Sequence, residues 1–155
     1  MEATVYGGGR DTFAIRFYAN DYAFNREKYL SNTKLQMKIS AIIYVLEKHS
    51  DESFESSDAK FDPEFCMYMP GQEWAEYGCF DFIGKLESME EANAFGNDEH
   101  SGHILKIKLI NNEEVPDFFT IDMFVNTKNM RFPATELQVG VKLTGMFQLQ
   151  GEIAN

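Results

Sequence analysis

Val139–Ile153 is the segment that most restricts the fold. Val139, Val141, Leu143, Phe147, Leu149 and Ile153 share one parity with Gly145 and Gly151. Gly140, Lys142, Thr144, Met146, Gln148, Gln150 and Glu152 hold the other. Alternation with period two over about fifteen residues marks a long strand with one face buried and one face wet. Glycines within the inward set predict a bend or a close backbone approach, as at the corner of a barrel.

Other segments repeat the pattern. Leu105, Ile107 and Leu109 alternate with Lys106 and Lys108, and Phe119, Ile121, Met123 and Val125 with Thr120 and Asp122. Phe13, Ile15 and Phe17 form a shorter set, and Leu35 to Val45 a longer one. The opposite parity of that longer run carries Ile42, Tyr44 and Leu46, which predicts a strand covered on both sides at its middle. Phe80, Phe82, Gly84 and Leu86 read as a strand to about Glu87, followed by a polar turn or short helix. Tyr22, Arg26, Tyr29 and Leu30 have helical spacing within 21–31, and Pro133 is placed to open one turn over 134–137. Gly7–Gly9, 50–58, Pro70-Gly71, 96–102 and 111–116 punctuate the strands. The expected fold is mainly β: an antiparallel, partly open barrel with one or two short helices, or alternatively a two-sheet sandwich. No repeat or linker divides the chain, so residues 1–155 are expected as a single domain. Its barrel-like part is 80–153, with 1–70 as an N-terminal elaboration.

A chain of 155 residues with 44% hydrophobic content can bury an independent core. The 14 Phe and 7 Tyr favour strands. No apolar run approaches the ~20 residues of a spanning helix. Met1 to Val5 shows no basic region followed by an apolar stretch, so the expectation is a cytoplasmic protein without a membrane. Cys66 and Cys79 are too few for a disulfide framework and are expected to be reduced. The net charge of −11 repels a phosphate chain and offers an acidic surface to a basic protein.

Residues 80–153 resemble OB-fold-like small barrels. The resemblance rests on Phe80–Glu87, His103–Ile110, Phe118–Val125, the link Phe132–Leu137, and Leu137-Gln138-Val139-Gly140-Val141-Lys142-Leu143-Thr144-Gly145. That last phrase is similar to the entry into a late barrel strand. The resemblance implies a five-stranded barrel whose broad face binds oligomers or peptides. The few basic residues on its strands (Lys85, Lys106, Lys108 and Lys142) are surrounded by acidic loops, so nucleic acid is an unfavoured partner.

Motifs for chemistry are sparse. Asp98, Glu99, His100 and His103 have metal-ligand residue types, but they lie in a glycine-flanked polar stretch that reads as a solvated loop. Neither a metal nor a cofactor is expected. His49 precedes Ser50 without a nucleophile elbow, and Gly7-Gly8-Gly9-Arg10 lacks the lysine and helix of a phosphate loop. No catalytic residue is assigned. Tyr68, Trp74 and Tyr77 surround the Pro70-Gly71 turn and are candidate interface anchors, or else a plug on the barrel end. Methionines 67, 69, 89, 123, 130 and 146 read as core filler. The expected function is a non-catalytic intracellular binding module, comparable to immunity proteins and small inhibitors, that engages a protein with a basic patch. Its rivals are a single-strand or oligosaccharide-binding barrel using Lys85, Lys106 and Lys108, and a structural assembly subunit.

Overall fold

In a computed structural model the alternating segments become strands that close on one another. The structure describes residues 2–6, 12–31, 34–50, 65–71, 77–93, 101–110 and 119–154, with the backbone alone at 2–6 and 12–14. The elements are β1 (Glu2–Tyr6), β2 (Thr12–Arg16), β3 (Tyr18–Ala19), α1 (Tyr22–Leu30), β4 (Met37–Lys48), β5 (Met67–Pro70), β6 (Cys79–Asn93), β7 (Ser101–Ile110), β8 (Phe119–Asn126) and β9 (Lys142–Ile153). Single 3-10 turns follow β8 at Thr127–Asn129 and Ala134–Glu136. β1 and β2 form a two-stranded ribbon.

β9, β4, β8, β7 and β6 lie side by side in that order, and β6 pairs again with β9. The barrel is therefore closed, where the sequence predicts a partly open one. It is also not wholly antiparallel. Strand direction cannot alternate all the way round a ring of five, so at least one neighbouring pair must run parallel. That pair is β4 and β8, joined at Ala41–Met123, Ile42–Phe124 and Ile43–Val125. β3 adds a second, two-residue parallel pairing to β9 outside the ring. Residues 80–153 supply only four of the five barrel strands. The fifth, β4, comes from the N-terminal half and fits between β8 and β9.

β6 serves two neighbours along one edge. Its residues 80–83 carry β5 and residues 85–93 carry β7, while 79–85 pair with β9 on the other edge. The strand turns this corner at Gly84, where a Cβ would collide with the Ile107 side chain. A register shift between Leu86 and Ser88 follows. The expected end near Glu87 is thus corrected: the strand runs on to Asn93, and the bulge breaks the parity that made it legible. β9 starts at Lys142 instead of Val139, because Gly140 at φ +88 turns the chain and leaves Val139 66% exposed.

Among the described residues every fully buried one with a large side chain is apolar, and no polar or charged residue is buried as a whole. Phe147 stacks on Phe80 at 5.5 Å and tilts against Phe82 at 5.5 Å. Leu86, Leu105, Ile107, Leu109, Met123 and Val125 are fully buried around them. Leu46 belongs here too, although its parity predicts the other face. A register shift between Ile43 and Val45 returns it inward. Opposite that shift, a Cβ on Gly145 would overlap the Val45 carbonyl oxygen, so a side chain there would cost roughly 1–3 kcal/mol in overpacking. Of the methionines expected in the core, Met123 is buried, whereas Met69 and Met89 are 49% and 44% exposed.

Helix α1 buries no residue of its own and is held at its start. The Asp21 carboxylate accepts hydrogen bonds from Tyr29 Oη, Asn25 Nδ2 (2.8 Å) and the Ile153 backbone N–H (3.1 Å). Desolvation works to raise the Asp21 pKa, but the bonds from Tyr29, Ile153 and Asn25 outweigh it and hold the group below its ordinary value. Burial and Asp21 together raise the Tyr29 pKa. A lowered carboxyl pKa contributes stability above the unfolded value, and that stability is lost as pH falls through the folded value. The stability advantage of the wild type over Asp21→Asn is therefore expected to shrink between about pH 5 and about pH 2 in urea unfolding. A difference constant across that range would contradict the clasp.

Candidate functional site

Since buried side chains fill the interior, the candidate features lie on the outer wall. The register aligns one row of outward residues across four strands: Cys79 on β6, Gln148 on β9, Ile42 on β4 and Phe124 on β8. Ile42 and Phe124 are half-buried, and Tyr44, two residues along β4, is 42% exposed. The expectation of a middle covered on both faces therefore holds only in part. Tyr44, Tyr77, Cys79, Met146 and Gln148 line a pocket of about 330 Å³. Its walls are tied together: Tyr44 Oη donates to Gln148 Oε1 (3.0 Å), and Gln148 Nε2 donates to the Tyr77 carbonyl (3.0 Å). Cys79 and Met146 supply soft, polarisable surface. Burial, and secondarily the neighbouring Cys79, pushes the Tyr44 hydroxyl pKa up, and burial does the same to the Cys79 thiol. Two carboxylates occupy neighbouring outward positions in the register. Asp81 lies directly opposite Met146, Glu47 lies opposite Thr144, and both are exposed.

The residues singled out in the sequence separate. Tyr77 is 61% exposed and belongs to the pocket. Tyr68 packs away from it, 5.5 Å from Phe80 and 5.1 Å from Phe119, where desolvation raises its pKa. Trp74 lies outside the described residues, as do Asp98, Glu99, His100 and the acidic runs at 51–58 and 113–117. Lys85 is directly opposite Lys108 on one side and Lys142 on the other, which makes a row of three lysines across β7, β6 and β9. Lys106 faces Ser88 and Asp122. Lys108 is 3.9 Å from Glu87, and its side chain is only 14% exposed. His103 faces Glu91 across the ladder. Among the described residues no three His, Cys, Asp or Glu side chains converge as a metal site, and no helix is long and apolar enough to cross a membrane.

Four of the five pocket residues, all but Tyr77, escaped the sequence reading as site residues. Met146 was the signal: it is an apolar side chain on the polar parity of β9. Tyr44 on the outward parity of β4 was the second, and only the β4–β9 register brings the two together. Comparison with protein-family models, with curated proteins and with solved structures gave no match.

Cys66 and Cys79 are not joined in a disulfide. Gly71 bonds to the Cys79 carbonyl at one end of β5, and Cys66 precedes Met67 at the other, so the ladder holds the two cysteines apart. With Cys79 only 6% exposed and its pKa raised, a thiol reagent is expected to modify Cys66 roughly tenfold faster in the native protein. Mass spectrometry of peptides from timed labelling reads the two rates. Equal rates would show that the pocket is open at Cys79.

Proposed function

We propose that the protein is a non-catalytic intracellular binding module that engages a protein partner through the outer wall of its barrel, in the manner of an immunity protein or small inhibitor. The supporting observation is the pocket between β4, β6 and β9, lined by Tyr44, Tyr77, Cys79, Met146 and Gln148, with exposed Asp81 and Glu47 at neighbouring outward register positions. Aromatic side chains in a preformed depression are favoured interface anchors. A chain of net charge −11 attracts a basic partner over distance and speeds encounter. Two unlinked thiols suit a reducing compartment. We read the barrel as OB-like with its fifth strand, β4, placed ahead of the other four in sequence.

A second reading has one observation in its favour. The row of Lys108, Lys85 and Lys142 across β7, β6 and β9 is a strip of like charge along which the phosphates of a single strand would lie. Lys108, however, is already beside Glu87 and mostly covered. Single-strand binding with a steep salt dependence would favour this reading, and none near ~50 mM salt would remove it.

The test is capture from lysate, with and without nuclease, by the tagged wild type, Tyr44→Asp and Phe24→Asp. Phe24 is 91% exposed on α1 and serves as the control. One stoichiometric protein is expected to survive nuclease, to be lost with Tyr44→Asp, to remain with Phe24→Asp, and to elute at moderate salt. Recovery of nucleic acid alone, or of nothing, would overturn the proposal.

A further inference from the structure

We propose that the wall pocket receives an arginine side chain of the protein partner, an inference that rests on the wall being the binding surface. Tyr44 and Tyr77 present rings that are 42% and 61% exposed, and the face of a tyrosine ring attracts a cation. Met146 and Cys79 line the same pocket with soft apolar surface, the kind on which a long cationic side chain lays its methylene stem. On the same outward face Asp81 is the exposed ladder partner of Met146, and Glu47 lies one outward step beyond Val45 on β4. The Gln148 amide bridges both walls, holding Tyr44 by its hydroxyl and Tyr77 by its carbonyl before any ligand arrives.

Soft apolar lining, tyrosine rings and neighbouring carboxylates together select among side chains. An uncharged aromatic residue would fill the depression and leave the carboxylates unanswered. A lysine would answer them with a compact ammonium that holds its water tightly. A guanidinium is planar and weakly hydrated, stacks on aromatic faces, and presents several N–H donors to a carboxylate at once. The geometry therefore favours arginine, in keeping with the charge of the chain.

The experiment uses full-length protein with 13C-labelled methionine methyl groups, Met146 being assigned through Met146→Leu. Three short peptides, identical except for a central arginine, lysine or citrulline, are titrated separately. Citrulline keeps the shape of arginine without its charge. The arginine peptide is expected to shift the Met146 methyl resonance and to leave that of buried Met123 in place. Citrulline is expected to bind roughly tenfold more weakly, and Asp81→Asn and Tyr44→Leu to weaken the arginine peptide several-fold. An unmoved Met146 signal, or equal binding by citrulline or lysine, would overturn the assignment. If Asp81→Asn still captures the partner from lysate while the arginine peptide stays silent, the arginine pocket falls and the wall remains the binding surface. If the wild type captures nothing, the failure belongs to the wall itself.

Discussion

Three residue pairs between β4 and β8 are all the parallel ladder that closes this barrel. Every other contact in the ring is a longer antiparallel ladder, the longest being β4 with β9 from Met37 to Lys48. The short seam is extended by the chain just after β8. Asn129 Nδ2 donates to the Ile43 carbonyl (3.2 Å), and the Arg131 N–H donates to the Leu46 carbonyl (2.9 Å). These bonds continue the pairing past the point where β8 itself ends at Asn126. A five-membered ring needs one such parallel seam. Here it falls where a strand from the N-terminal half meets one from the C-terminal half.

The candidate site depends on the same closure. Tyr44 stands on β4, Met146 and Gln148 on β9, and Cys79 on β6, so the pocket exists only while these strands lie side by side. The irregularities that bend the barrel also shape its wall. The register shift between Ile43 and Val45 sends Leu46 into the core and leaves Tyr44 outside, and the absence of a side chain at Gly145 lets the two backbones approach at that point. Phe80, Phe82 and Phe147 fill the centre. Charged groups are displaced to the wall, where Asp81 is the ladder partner of Met146 and lysines gather at Lys85, Lys108 and Lys142.

Much of the fold was legible in the sequence, because a strand with one wet face records its orientation in its parity. β7, β8 and the part of β9 after Val141 follow that parity residue by residue, and α1 and the turn at Ala134–Glu136 fall where spacing and Pro133 place them. The reading failed where the backbone leaves the regular ladder. Bulges at Glu87 and near Tyr44 shift the phase of β6 and β4, and a pattern of period two cannot carry through an extra residue. Closure was hidden for another reason: strand order is a long-range property, and nothing in residues 37–48 says which two neighbours they will take. Tyr77 was visible as an exposed aromatic residue. Tyr44 and Met146 were visible only as residues on an unexpected parity, and their meeting required the register.

Native-state hydrogen exchange of the full chain tests the closure most directly. The amides of Ala41 to Leu46 are expected to exchange only on global unfolding, together with those of Leu143 to Leu149. Exchange of the β4 amides well ahead of a still-protected β6, β7, β8 and β9 would show that the seam opens on its own. That result would contradict both the closed barrel and the preformed pocket built upon it.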